Sequence, residues 1–196
     1  MKKNWIILIA IVLLVVILIS SSISMYNGLV SRQESVDAQW SNVENVYQRR
    51  ADLIPNLVNT VKGYAQHEKQ TLTDVIEARS KATAVNVSAA NMSAASLQKF
   101  QAAQDNLSSA LSRLMVVVEK YPDLKANQNF LELQAQLEGT ENRISVERRK
   151  FNISAQDYNT AIRKFPKNIF ASVFGFEKKA YFKAVEGANK APEVKF

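Results

Sequence analysis

The sequence predicts an all-α protein: an N-terminal transmembrane helix, then an antiparallel bundle of three long helices, then a short C-terminal helix. Three observations carry this. A long apolar run without charge opens the chain, and apolar residues then recur at steps of three and four along most of the remaining length. Turn-forming residues are scarce, with five Gly and four Pro among 196 residues, too few for an all-β sandwich of this length. An apolar content of 47% with 22% charged residues places the chain among folded proteins rather than disordered ones.

The anchor comes first. After Lys2 and Lys3, residues Trp5 to Ile19 are apolar throughout, and no charged side chain appears before Arg32. Crossing a bilayer takes about 20 residues of helix, and in lipid only a helix satisfies the backbone of a single span. A cleaved signal peptide is the competing reading, with Ser20 and Ser22 as a weak small-x-small site. The pattern continues unbroken into Ile23, Met25, Tyr26 and Leu29, which favours an uncleaved anchor over residues 5–26, after a short flank of residues 1–4. Trp5 and Tyr26 fall where interfacial aromatics belong. Lys2, Lys3 and the terminal amine on one side, against Arg32 on the near part of the other, favour an internal N-terminus and an external bundle; Arg49 and Arg50 lie further along and weaken that bias.

Residues 27–166 read as the bundle. Val36, Trp40, Val43, Tyr47, Ile54, Leu57, Val61, Tyr64, Leu72 and Val75 form one stripe, with Arg50 and Glu68 at its two polar places. A single helix from residue 31 to about 80 is expected, kinked rather than broken at Pro55 because the stripe keeps its phase there. Residues 82–96 lose all charge and nearly all large side chains, so they form a loose connector. Leu97, Phe100, Leu107, Leu111, Leu114, Val118 and Tyr121 mark a second helix ending at Pro122. The third opens at Pro122 and Asp123 and presents Phe130, Leu133, Leu137, Ile144, Phe151, Ala155, Tyr158, Ile162 and Phe165 before Pro166 ends it. Gly139 is its soft point. The short Pro122 connection places the second and third helices side by side and antiparallel.

Residues 167–196 differ, with Ile169, Phe170, Val173, Phe174, Phe176, Tyr181 and Phe182 set between Lys167, Lys178, Lys179 and Lys183. Aromatics at helical spacing favour a short helix capping the bundle, with Gly175 as a bend; the alternative is a basic amphipathic foot on anionic lipid.

Catalytic signals are sparse. Without cysteine, disulfides, thiolate metal sites and a Cys nucleophile are excluded. The net charge of +7 is dispersed, the longest basic run being Arg148, Arg149 and Lys150, which points to solvated helix faces rather than a nucleic-acid footprint. His67, the sole histidine, lacks the second histidine of a zinc-peptidase helix, and no phosphate loop, nucleophile elbow or dinucleotide fingerprint is present. Carboxylate pairs such as Glu138 with Glu141, or Glu44 with Asp52, are ordinary at this charge density. No catalytic residue, metal ligand, cofactor or small-molecule substrate is therefore expected.

Some polar residues exceed what packing requires, chiefly Arg49-Arg50-Ala51-Asp52-Leu53-Ile54-Pro55-Asn56-Leu57-Val58, followed by Val61-Lys62-Gly63-Tyr64-Ala65. With Ala38-Gln39-Trp40, Glu119-Lys120-Tyr121-Pro122-Asp123-Leu124, Leu137-Glu138-Gly139-Thr140-Glu141-Asn142-Arg143-Ile144, and Tyr158-Asn159, this ordered set resembles the LemA family of bacterial membrane proteins over nearly the full length. Phe151-Asn152 looks like a variant of a Tyr-Asn pair. The resemblance implies one N-terminal membrane helix and a helical bundle; it implies little about activity, since the family has no established catalytic residues, and some LemA-like proteins are associated with magnetosome formation. Arg49, Arg50, Asp52, Asn56, Glu141, Asn142 and Arg143 form a candidate polar cluster, either buried pairs that fix helix register or a partner-binding patch. The expected function is a scaffold or interaction protein of the bacterial cytoplasmic membrane that recruits proteins, self-associates or organises the membrane. A lipid-binding or membrane-shaping module is one alternative, and a membrane-linked hydrolase using Glu, Asp and His67 another.

Overall fold

The computed structural model describes residues 2–88 and 92–183, with side chains from Asn4 onward. Residue 1, residues 89–91 of the connector, residues 184–196 of the tail, and the side chains of Lys2 and Lys3 lie outside the described residues. Among the described residues, six helices occur in order: α1 (Lys2–Tyr64), α2 (Lys69–Ala84), α3 (Ala94–Val118), α4 (Pro122–Lys125), α5 (Gln128–Ala161) and α6 (Lys167–Val173). No strand occurs among them.

The anchor and the first bundle helix are one element. α1 spans 63 residues, about 95 Å at 1.5 Å per residue. Its residues Asn4–Ser21 are exposed along their whole length, and Leu29 is the first to be buried. Beyond Leu29 the stripe Val36, Trp40, Val43, Tyr47, Ile54, Leu57 and Val61 turns inward. A helix long and apolar enough to cross a membrane therefore runs without interruption into the core of the folded domain.

α1 ends at Tyr64, short of the expected residue 80. Residues 65–68 make a tight reversal in which Glu68 N donates to Ala65 O at 3.1 Å, and α2 returns antiparallel along α1. Folding back lets Leu72, Val75 and Ala82 join Ile54, Leu57 and Val61 in one cluster. A helix that reverses and one that continues carry the same apolar period, so the stripe does not distinguish them. Tyr64, in the expected stripe, is left exposed by the turn.

Pro55 does not break α1. Lacking an N–H, it leaves the Ala51 carbonyl without its helical donor, and that carbonyl accepts from Arg79 Nε of α2 at 2.6 Å. The defect in one helix thus becomes the docking point of the next.

α3 begins where Ser93 and Ser96 exchange backbone and side-chain hydrogen bonds, each 3.0 Å long, as a capping box. The connector is partly core: Val87 and Met92 are buried, and Val87 O accepts from Trp40 Nε1 at 2.9 Å. The expected third helix is divided at Ala126–Asn127. Asn127 is the cap of α5, its Oδ1 accepting from Phe130 N at 3.1 Å, so α4 is one turn only. α5 passes through Gly139 unbroken and stops at Ala161, leaving Phe165 exposed instead of in the core.

The bundle runs α1 up, α2 down, α3 up and α5 down. Arg79 meets Ala51, Gln104 meets Ala82, and Tyr64 meets Asn127, which fixes each antiparallel sense. The closest backbone pairings are α1 with α5 and α2 with α3, whereas α3 and α5 meet through side chains in the core. The tail divides. Phe182 and Ala171 are buried, and Phe170 and Phe176 pack beside them, while Ile169, Val173 and Phe174 face outward. α6 ends in a Schellman turn: Gly175 has φ +72° and Phe176 N donates to Ala171 O at 2.9 Å.

The Pro55–Arg79 relationship makes a quantitative prediction. Arg79→Met should lower stability by about 1–2 kcal/mol, the cost of an unpaired buried carbonyl. In a Pro55→Ala background, where residue 55 can again donate to Ala51, that cost should shrink by more than half. Chemical unfolding of the four proteins in detergent measures both, and an equal cost in the two backgrounds would contradict the pairing.

Candidate functional site

Arg50 follows Tyr47 and precedes Ile54 on the apolar face of α1, so helical geometry alone drives it into the core; it is 2% exposed. A buried guanidinium is costly unless its donors are satisfied. Nη1 donates to Glu141 Oε2 of α5 at 2.8 Å and to Ser108 Oγ of α3 at 2.9 Å. Nη2 donates to Gln104 Oε1 of α3 at 2.6 Å, and Gln104 Nε2 continues to Ala82 O of α2 at 3.3 Å. One planar cation therefore connects all four bundle helices. Its carbon centre also lies 5.1 Å from the Tyr47 ring centroid, and Nε alone has no partner. Burial pushes the Tyr47 hydroxyl above its ordinary pKa, with Arg148 and Arg50 pulling it partly back.

The network sits where the core divides. On the membrane-proximal side lie Trp40, Tyr47, Phe100 and Phe151; on the far side lie Ile54, Leu57, Leu107 and Leu114. Of the polar cluster read from the sequence, the structure brings together Arg50 and Glu141. Glu141 is half-exposed, its side chain 55% accessible, so the ion pair opens to solvent on one side. Arg49, Asp52 and Asn56 are exposed on α1, and Asn142 and Arg143 on α5. Asp52 accepts from Gln48 Nε2 one turn away at 2.8 Å. Gln104 and Ser108 were not singled out from the sequence, although position 104 lies in step between Phe100 and Leu107 and is polar where the stripe calls for carbon.

A second constellation fastens the tail to the membrane-proximal core. Trp40 meets Phe100 and Phe151 edge-on with centroids 5.5 Å apart, and Phe182 stacks on it at 6.0 Å. Two Asn side chains of α5 act as ladder rungs. Asn159 donates to Lys179 O and accepts from Lys179 N, at 2.8 and 2.9 Å; Asn152 does the same for Phe182, at 3.0 and 2.9 Å. Seven helical residues advance about 10.5 Å and three extended residues about 10 Å, so the two spacings match. Phe151-Asn152 and Tyr158-Asn159 are thus one device used twice: the ring enters the core and the following amide holds the tail. Arg148 closes the segment, its guanidinium carbon 4.6 Å from the Phe182 ring centroid. Lys179 Nζ meets Asp37 Oδ1 at 3.2 Å, tying tail to α1.

On the same face, Glu147 accepts from Gln39 Nε2 at 2.6 Å and is held below the usual carboxylate range by its hydrogen bond from Lys150. His67 lies exposed in the 65–68 reversal. Among the described residues, no group of three or more His, Asp or Glu side chains is placed to hold a metal ion.

Tyr158 adds a pH dependence on the alkaline side. It is fully buried and its hydroxyl has no hydrogen-bond partner. Burial, reinforced by Asp37 and Glu177, pushes its pKa up to about 12. The folded state therefore keeps the neutral phenol while the unfolded chain ionises near pH 10, so stability falls as pH rises from about 10 towards 12. Tyr158→Phe should be as stable as the parent or up to about 1 kcal/mol more stable at pH 7, and its advantage should widen above pH 10. Circular-dichroism melts at both pH values check this, and a constant or shrinking difference would contradict it.

The LemA family model matches residues 39–196, a segment containing every residue of both constellations except Asp37. Among curated proteins, magnetosome protein MamQ of Magnetospirillum gryphiswaldense is 29% identical, the match covering 87% of this chain and 69% of that protein. A magnetosome protein MamQ of Paramagnetospirillum magneticum is 30% identical over the same shares. Protein LemA of Metamycoplasma hominis is 26% identical, covering 82% of this chain and 69% of that protein. With the family model covering the Arg50 network, the tail rungs and the core from Trp40 onward, the chain belongs to the LemA family.

Proposed function

We propose that this protein is a non-catalytic, membrane-anchored helical scaffold that holds a stiff four-helix rod at the bacterial cytoplasmic membrane and presents its sides to protein partners or to further copies of itself. The continuity of α1 carries the reading. A span joined through a loop would let its domain swivel, whereas a single helix shared by span and core transmits the angle of one to the other. From Leu29 to Tyr64 the shared helix extends about 54 Å, so a partner bound along the rod is held at a defined height.

The exposed polar residues supply the candidate contact surface. Arg49, Asp52 and Asn56 recur at steps of three and four and share one face of α1, and Asn142 and Arg143 follow Glu141 on the adjoining α5. Both signs of charge are present, which suits a specific protein surface better than a purely electrostatic one. Similarity to proteins named for the magnetosome, a cell structure rather than a reaction, also supports the scaffold reading. The Lys2 and Lys3 flank supports an external bundle.

Amine-reactive crosslinking of intact cells tests both features. A membrane-impermeant reagent should convert the full-length protein into discrete higher-mass species, and Asp52→Lys with Asn142→Ala should weaken them severalfold while the melting temperature is unchanged. Adducts with a permeant reagent alone would reverse the orientation, and monomer alone with both reagents would overturn the scaffold.

A further inference from the structure

α6 turns an apolar stripe away from the core. Ala171 is buried beneath it, but Ile169 and Val173, four apart on α6, and Phe165 and Phe174, which flank its two ends, are exposed; Phe165 is 80% and Val173 74% exposed. Large apolar groups clustered on the exposed side of one short segment mark a contact. The position of α6 says with what. The Phe174 ring lies edge-on to Tyr26 with centroids 5.0 Å apart, and Phe176 reaches the same tyrosine at 5.7 Å. Along α1, Trp5 to Tyr26 spans about 32 Å, close to the ~30 Å of hydrocarbon in a bilayer. With Trp5 at one interface, Tyr26 stands at the other, and α6 lies beside it at headgroup height.

Charge agrees with that placement. Arg32, Lys164 and Lys167 line an open pocket of about 560 Å³ together with Phe165, with Ser35, Ser154 and Thr160 as hydroxyl donors and Asp157 as the one acidic group. Arg32 is about 9 Å beyond Tyr26 along the helix, within side-chain reach of the headgroup layer.

Resting on the anchored reading above, we infer that α6 is an interfacial foot. Phe165, Ile169, Val173 and Phe174 dip into the boundary between headgroups and acyl chains of the bilayer that α1 crosses, while Arg32, Lys164 and Lys167 hold the phosphates of its anionic lipids. Such a foot gives the rod a second point of contact, and two points set a tilt that a single span leaves free.

The absence of cysteine from the sequence makes the test clean, because each introduced cysteine is the sole labelling site. Full-length Val12→Cys, Val173→Cys and Val116→Cys proteins would carry a nitroxide and be reconstituted into phosphatidylcholine bilayers with or without phosphatidylglycerol. Val116, on α3, is the aqueous reference, being 67% exposed. In bilayers with phosphatidylglycerol, the label at 173 should collide with oxygen severalfold more, relative to a water-soluble nickel complex, than the label at 116. Lys164→Glu with Lys167→Glu, or omission of phosphatidylglycerol, should reduce that ratio. An aqueous profile at 173 with a lipid profile at 12 would overturn the foot while leaving the anchor standing; an aqueous profile at 12 would overturn the anchor itself. Equal immersion with and without phosphatidylglycerol would overturn the assignment of the basic residues. Spin–spin broadening at 173 would assign the stripe to a second copy and overturn the lipid contact.

Discussion

One buried cation, Arg50, joins all four helices of this bundle. Apolar stripes recurring once per turn bring helices together but leave their register loosely specified, since a slide of one turn buries nearly the same carbon. The Arg50 guanidinium does not tolerate such a slide. Its planar donors reach Glu141, Ser108 and Gln104 together, and a slide of one turn would strand buried donors, a cost of several kcal/mol. It sits between two apolar clusters rather than inside either, so it sets the helices relative to one another at the level where the carbon core is interrupted.

The same logic recurs at smaller scale. Pro55 deprives Ala51 O of its donor and Arg79 supplies one; the tail, with no strand beside it, obtains its backbone partners from Asn152 and Asn159. In each case a backbone group that regular structure cannot satisfy is met by one side chain from a different element, and the contact fixes where that element lies. These fastenings carry the geometry down to the apolar segment of α1. The tail rungs seat Phe182 against Trp40, and the Schellman turn at Gly175 returns the chain so that Phe174 and Phe176 meet Tyr26. Stiffness in α1 and closure by the tail meet at the end of the bundle where α1 becomes apolar all round.

Much of this was legible in the sequence, and the failures have physical causes. The charge-free run and the steps of three and four state helix, anchor and most of the core directly, because burial of carbon at helical period is local information. The reversal at residues 65–68 was not legible: Leu72 and Val75 keep the phase of Val61 whichever way the chain turns, and only tertiary burial selects the hairpin. Asn127 as a cap was readable in principle but was masked by the stronger signal of Pro122. Phe165 continued an apolar pattern that ended with α5, so periodicity placed it inside where the end of the helix puts it outside. Among the polar residues, Arg50 announced itself by breaking the stripe, whereas Gln104 and Ser108 are neutral residues common on any helix face. Exposure separates Arg49, Asp52, Asn56, Asn142 and Arg143 from the buried network, a distinction that requires knowing which helices adjoin.

The most direct test is a double-mutant cycle between Arg50→Met and Gln104→Leu in the full-length protein. If Arg50 and Gln104 satisfy one another in the core, each single substitution strands a buried polar group, while the double substitution replaces both by carbon, so the double variant should be more stable than the sum of the single losses by about 1–3 kcal/mol. Losses that add to within about 0.5 kcal/mol would contradict a register set by this network.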